Sequence, residues 1–340
     1  MPDSVAAKPA IVIAHMDGLQ PFDTHALERL DDVGRVLDRV PLSSWDDPRA
    51  DELLAEAEII VGHWGAPLFD AEVLARAPQL KMFAYAAGTV KWYVIDEIWE
   101  RDLVITSGAG ANAEPVAEYT LAMTLLANKR VFPAIDGQAG RAQWAPPSTA
   151  SAHGNWGKTV GIVSASLIGR RVAELLQPFP HLSVEIFDPF VDETIITALG
   201  ATKVDDLTEL CRSADVLTIH APALPATHNL VGAAHLAALP DGATVINTSR
   251  GHCLDLEALT AELEAGRLFA VIDVTDPVEP LPDDHPLRTL PNAIYTPHIA
   301  GSQGTELARM SDWVIDEVER FVAGRPQRNQ ITRDMIDRIA

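Results

Sequence analysis

The chain has 340 residues and carries 26 Lys and Arg against 48 Asp and Glu, a formal net charge of −22. With 47% hydrophobic and 22% charged residues it reads as a globular protein with a buried core, and its length suggests two domains. The acidity excludes a general binder of nucleic acid or of anionic membranes, which needs a net basic face, so any anion site must be built locally.

Apolar strand-like runs alternate with helical patterns along the whole chain, which predicts an α/β fold with parallel sheets. Residues Ala10–Ala14, 59–61 and 82–86 read as strands, with helical stretches at 51–58 and 69–76 between them. A strand at 104–106 closes this set, ahead of a loop with Gly108 and Gly110 and a long helical pattern over 113–130, broken before Pro133. Residues 131–158 hold Gly137, Gly140, Pro146, Pro147, Gly154 and Gly157 together with Trp144 and Trp156. Such a stretch reads as a connector, or as an arm exchanged with a second subunit, rather than as a packed element. Seven strand candidates follow, at 159–163, 183–188, 202–204, 216–220, 244–248, 270–274 and 294–296, with helices such as 170–177 and 256–265 between them. This is the rhythm of a doubly wound sheet. A last helix over 306–323 has Gly324 and Pro326 as its stop.

Cys211 and Cys253 are too few for a disulfide framework, the N-terminus lacks the charged and apolar regions of a secretory signal, and no apolar run reaches membrane-span length. A soluble, cytoplasmic protein is expected. No HxxxH or CxxC spacing is present, so no metal site is expected.

Ligands of open α/β sheets bind at the carboxyl ends of the strands, so polar residues just past the strands of the second half are the candidates for chemistry. These are Ser164, Ser166, Asp188, His220, Arg250, Asp273 and His298. The first βα turn has the spacing of a dinucleotide fingerprint at Ser164, Ser166 and Gly169, of which only the last is glycine. Asp188, 19 residues past Gly169, suits both ribose hydroxyls and would repel a 2′-phosphate, which points to NAD over NADP; a turn cap before Pro189 is the competing reading. The Ser166 hydroxyl can donate to a phosphate oxygen, with Arg170 and Arg171 adding positive charge at the helix start. Arg250 can hold a carboxylate in bidentate fashion, against the plainer reading of a surface ion pair. Glu279 lies between Pro277 and Pro280, and taken alone it reads as a solvated loop carboxylate. His298, between Pro297 and Ile299, becomes a good proton donor if a carboxylate stands beside it. His220, followed by Ala221 and Pro222, reads as a cofactor wall, while His63, His153, His252 and His285 read as structural.

Five segments carry a family resemblance: TSGAGANAEPVAEY at 106–119, TVGIVSASLIG at 159–169, NTSRG at 247–251, DVTDPVEPLP at 273–282 and TPHIAG at 296–301. Through them the chain resembles the D-isomer-specific 2-hydroxyacid dehydrogenases over nearly its full length. The resemblance implies a Rossmann-type doubly wound cofactor domain inserted into a smaller flavodoxin-like α/β substrate domain. The expected division is 1–111 with 306–340 for the substrate domain and 112–305 for the NAD-binding domain, with 131–158 as a dimer arm of a homodimer. By position Arg250, Glu279 and His298 are the expected catalytic residues, and Ala87, Gly88, Arg250 and His298 the substrate contacts. The expected NAD contacts are Ser166, Leu167, Ile168, Gly169, Asp188, His220, Ala221, Pro222, Thr227, Thr248, Ser249, Arg250, Asp273, His298 and Gly301, with Asp273 on the nicotinamide carboxamide. The chain departs from the family pattern at Ser164 and Ser166, at the spacing around Asp273, and at 89–93 and His63-Trp64-Gly65. The implied activity is interconversion of a small 2-oxo acid, such as glyoxylate or hydroxypyruvate, with its D-2-hydroxy acid. The chain ends 14 residues after Pro326, which favours the short forms of the family over the long regulated phosphoglycerate dehydrogenase. An alternative is an NAD(H)-sensing binding protein of the same fold with little or no turnover.

Overall fold

A computed structural model describes residues 7–140, 153–336 and 339. The chain divides into two compact units, Met1–Asn112 with Ser302–Ala340, and Ala113–Gly301.

In the first unit β1 (Ala10–Ala14) is followed by α1 (Thr24–Val33), β2 (Arg35–Val36), α2 (Ala50–Glu56), β3 (Ile59–Gly62), α3 (Ala71–Arg76), β4 (Met82–Tyr85), α4 (Asp96–Glu100) and β5 (Val104–Ser107). The helix α5 (Ala109–Asn128) leads into the second unit, where α6 (Val131–Gln138), β6 (Lys158–Val163), α7 (Leu167–Leu176), β7 (Leu182–Phe187), α8 (Glu193–Ala198), β8 (Thr202–Lys203), α9 (Leu207–Ser213), β9 (Val216–Ile219), α10 (Ala233–Ala238), β10 (Thr244–Asn247), α11 (Leu256–Glu264), β11 (Phe269–Ile272) and β12 (Ala293–Tyr295) follow. The chain then returns to the first unit with α12 (Glu306–Val322) and β13 (Gln330–Ile331). Among the described residues no helix is long and apolar enough to cross a membrane.

The sheet of the first unit has the order β13-β5-β4-β3-β1-β2, the flavodoxin-like order extended by β13. Its strands are parallel except β13, which runs antiparallel to β5 and so makes the sheet mixed. Every residue of β1, β3 and β4 is buried, as parallel strands covered on both faces require. Val314, Ile315 and Val318 of α12 pack with Ile11, Ile13, Val61 and Ala84. The outer side of α12 is tied to α1 by Arg29, which reaches Asp312, Asp316 and Glu319 at 2.8, 2.5 and 2.8 Å.

The second sheet is wholly parallel, with the order β12-β11-β10-β9-β6-β7-β8. Strand order reverses between β6 and β9, the crevice where doubly wound sheets bind their ligands. Short acidic or hydroxyl side chains start the helices by accepting a first-turn NH: Asp23 for α1, Asp70 for α3, Ser166 for α7, Asp206 for α9 and Asp255 for α11.

The stretch read as a connector or arm begins with a helix over residues 131–138, none of whose residues is buried. Pro133 falls in the first turn of α6, where a missing NH costs no hydrogen bond, so it opens a helix instead of breaking one. The chain turns into α6 through Arg130, in the left-handed region at φ 54°, whose guanidinium lies 3.8 Å from the Phe269 ring centre. Trp156 stacks on His181 with ring centres 3.6 Å apart, while Trp144, Pro146 and Pro147 lie outside the described residues.

Candidate active site

Three neighbouring parallel strands, β10, β11 and β12, deliver Arg250, Asp273 and His298 to the same carboxyl edge of the second sheet. His298 has φ 57°, a left-handed conformation that a side-chain-bearing residue adopts only when its surroundings hold it there. Asp273 does the holding. Its carbonyl accepts the His298 NH at 3.0 Å. Its buried carboxylate accepts the Ile299 NH at 2.8 Å, the Ala300 NH at 2.9 Å and the Thr296 hydroxyl at 2.6 Å. With its hydroxyl proton given to Asp273, Thr296 accepts from the Tyr119 hydroxyl at 3.0 Å, which extends the network to α5. Asp273 was expected to bind the nicotinamide carboxamide; in this structure its carboxylate is taken up by the loop that carries His298.

Glu279 meets His298 directly, with Oε1 2.6 Å from Nδ1. Its other oxygen accepts the Thr275 NH at 2.9 Å, and the Thr275 hydroxyl donates to the Val278 carbonyl at 2.7 Å, so the loop fixes the carboxylate from within. Nδ1 is thereby engaged, and Nε2 is left as the nitrogen that can exchange a proton with a ligand. The histidine side chain is half-exposed, as a proton donor to an outside molecule must be.

Arg250 follows β10 in a turn stapled by Asn247, whose amide NH2 donates to the Arg250 carbonyl at 3.0 Å while its Oδ1 accepts from the NH and hydroxyl of Ser249. The guanidinium spends one donor on the Ser249 carbonyl at 2.6 Å and has no carboxylate partner within ion-pair distance among the described residues. Burial draws its pKa down, with Cys253 and the Glu279 charge acting the other way. It remains a cation whose fork is open to a ligand.

The turn after β6 is built for a close approach. A Cβ on Gly169 would stand 2.0 Å from the Ser164 carbonyl oxygen, so only glycine lets α7 come this near the strand. Ser166 caps α7 by accepting the Gly169 NH at 3.3 Å, leaving its hydroxyl proton to donate outward. The Leu167 and Ile168 NH groups have no acceptor among the described residues, as the first turn of a helix leaves them. Arg170 bonds the Ala165 carbonyl through Nε at 2.7 Å and has no carboxylate partner among the described residues. Arg171, expected to help here, is instead paired with Glu114 at 2.7 Å and Glu174 at 3.0 Å.

Ser164 occupies the first fingerprint position at φ 80°, which glycine adopts at no cost. Asp188 offsets the strain. It accepts the Ser164 hydroxyl at 3.2 Å and the Ala165 NH at 2.8 Å on one oxygen, and the Phe190 and Val191 NH groups at 2.8 and 3.2 Å on the other. Both oxygens are therefore engaged in turn capping, the reading that competed with ribose binding. To take ribose hydroxyls, Asp188 must share or exchange these donors.

Beyond β9, His220 is buried with Nε2 2.9 Å from the Thr218 hydroxyl, and its buried Nδ1 has no hydrogen-bond partner among the described residues. Burial pushes its pKa down to about 3, so the ring is neutral. Its Nδ1 is one of five buried side-chain polar atoms without a partner among the described residues, and it lies beside the switch point. Thr227 closes its own loop on the Pro222 carbonyl at 2.6 Å, the Ala221 carbonyl accepts from the Cys253 thiol at 3.4 Å, and Thr248 pairs with Thr120 at 3.0 Å. Ser166, Leu167, Ile168 and Arg170 thus present donors of the kind a dinucleotide's pyrophosphate needs, beside the close approach that Gly169 allows. Gly301 ends the unit.

In the first unit Ala87 and Gly88 follow β4. Neither NH has a hydrogen-bond acceptor among the described residues, while the Gly88 carbonyl accepts the Ser107 hydroxyl at 2.6 Å. His63, after β3, accepts the Trp64 NH on Nδ1 at 2.8 Å, and burial lowers its pKa to about 3. Asn247, Thr275, Thr296 and Tyr119 support the site without having been singled out in the sequence. All four lie inside the motifs that carry the family resemblance, where a polar residue near a catalytic candidate is the available signal.

A family model described as D-isomer specific 2-hydroxyacid dehydrogenase, NAD binding domain, matches residues 121–300. The chain is 27% identical over 312 residues to D-3-phosphoglycerate dehydrogenase of Methanocaldococcus jannaschii, covering 92% of this chain and 58% of that protein. It is 32% identical over 257 residues to glyoxylate reductase of Thermofilum pendens, covering 72% of each. Among solved structures it is similar to a phosphoglycerate oxidoreductase from Rhizobium etli, with 25% identity, a TM-score of 0.77 and coverage of 96% of this chain and 99% of that one.

Proposed function

Because the chain belongs to the D-isomer-specific 2-hydroxyacid dehydrogenase family, we propose that it is an NAD-dependent oxidoreductase that interconverts a small 2-oxo acid, of the size of glyoxylate or hydroxypyruvate, with its D-2-hydroxy acid. The observation that carries the reading is the 2.6 Å contact of His298 Nδ1 with Glu279, in the charge field of Arg250.

Bound NAD supplies or accepts the hydride at the substrate's second carbon. Arg250 fixes the substrate carboxylate with its open fork and draws charge from the carbonyl. Protonated His298 gives its Nε2 proton to the oxygen as the carbonyl becomes an alkoxide, and takes it back in the reverse direction. Glu279 keeps the ring aligned and stabilises the imidazolium. The unpaired NH donors of Ala87 and Gly88 suit an anionic group of the same class, a carboxylate. Pyrophosphate has the first-turn NH groups of α7, the Ser166 hydroxyl and Arg170 as partners. NAD is favoured over NADP because Asp188 places negative charge past β7 with no cation in the two residues that follow. The same reading makes the protein a homodimer.

The test is oxidation of NADH and of NADPH with a panel of 2-oxo acids that includes glyoxylate and hydroxypyruvate. Turnover of at least one acid, faster with NADH, is expected. Saturable NADH binding without turnover of any acid would favour the sensing protein instead.

A further inference from the structure

We infer that the loops after β9, β10 and β11 form a site for one divalent transition-metal ion of the zinc class, with His228, His252 and Asp276 as its ligands. The ligand atoms of the three side chains lie within 4.8 Å of one another. Tetrahedral zinc with bonds of about 2.0–2.2 Å needs its ligands about 3.3–3.6 Å apart, so the side chains have roughly 1 Å to close. His228 and Asp276 are exposed and can make that movement; His252 is half-buried and anchors the set.

The loops are already joined as such a site requires. The Asn229 NH donates to the His252 carbonyl at 2.9 Å and the Val231 NH to the Cys253 carbonyl at 3.0 Å, which stitches the His228 loop to the His252 turn. On the other side, a Cβ on Gly251 would stand 2.1 Å from the Thr275 carbonyl carbon and 2.4 Å from the Asp276 nitrogen. Only glycine lets the Asp276 backbone come this close to the His252 turn.

The chemistry of the rings agrees. A carbonyl oxygen only accepts, so His252 Nε2 carries a proton donated to the Leu224 carbonyl at 2.9 Å. That leaves the lone pair of the neutral ring on Nδ1, the arrangement in which metal-binding histidines are held by a carbonyl on their second nitrogen. The two rings meet edge to face at 4.7 Å, and neither the His228 ring nor the Asp276 carboxylate has a hydrogen-bond or ion-pair partner among the described residues. Two imidazoles and one carboxylate suit zinc, cobalt, nickel or copper, with water completing the shell. Arg250, Glu279 and His298 are not ligands, so the site stands or falls independently of the proposed reaction.

The test is isothermal titration of the full chain with zinc chloride, together with thermal melting and the visible spectrum of the cobalt(II) form. Wild-type protein should bind one zinc per chain, melt at a higher temperature with zinc present, and show the absorption of a low-coordinate cobalt site. His252→Ala and Asp276→Asn should each weaken zinc binding at least about tenfold and lose the zinc-dependent rise in melting temperature. Asp276→Asn is exposed and nearly isosteric, so it reads the ligand even where His252→Ala disturbs the turn. Absence of a one-to-one site in the wild type, or Asp276→Asn binding zinc as the wild type does, would overturn the inference.

Discussion

His298 keeps a backbone conformation that few side-chain-bearing residues adopt, and Asp273 keeps it there through one carbonyl and three carboxylate hydrogen bonds. In Asp273→Asn one of these donors faces an NH2 group, leaving a buried NH unsatisfied at a cost of about 1–3 kcal/mol. The expected result is a fall in kcat of at least about tenfold with NADH affinity little changed, measured by steady-state kinetics and NADH titration. Lost NADH affinity with kcat retained would instead give Asp273 the carboxamide role that the family resemblance implied. Arg250 and His298 are legible in the sequence as polar residues just past strands, whereas Glu279 stands out only through the family resemblance. The engagement of Asp273 and Asp188 was not legible. Which donors fill a carboxylate depends on how separate loops meet, and spacing along the chain does not record that. The same holds for the proposed metal ligands, which come from three loops at positions 228, 252 and 276.

At the scale of elements, the turn from β6 into α7 has the narrowest tolerance. In Gly169→Ala the new Cβ would stand 2.0 Å from a backbone oxygen that no side-chain rotation can move, so the helix start must shift. Overpacking of this kind costs about 1–3 kcal/mol. The variant should melt at a lower temperature and bind NADH more weakly, as read by melting and titration; unchanged binding would mean that this turn does not hold the cofactor. Most strands were legible because parallel strands buried on both faces read as apolar runs, and β1, β3, β4 and β10 are buried throughout. β2 and β13, two residues each, are too short to show any period. The helix α1 leaves a weak apolar pattern in the sequence because only Ala26 and Leu30 are buried on it. α6 does not stand out in the sequence because Pro133 and Gly137 signal breaks by residue type, although Pro133 lies in the first turn, where it is tolerated.

For the molecule as a whole, the net charge of −22 leaves the binding of anionic ligands to local positive charge. Arg29, Arg49, Arg171 and Arg267 each face carboxylates, whereas Arg170 and Arg250 have no ion pair among the described residues, and both stand at carboxyl ends of the second sheet. Local positive field is thus kept where the dinucleotide and the substrate are proposed to bind, and screening over about 8–10 Å limits the reach of the acidic surface. The most direct measurement is transfer of label from NADH deuterated at the reactive nicotinamide carbon to a reactive 2-oxo acid, by wild-type protein and by His298→Ala. The prediction is a D-2-hydroxy acid with deuterium on its second carbon from the wild type, and almost none from a variant that still binds NADH. Equal label transfer by both proteins would contradict the assignment of His298, and no transfer to any acid by a wild type that binds NADH would contradict the reaction itself.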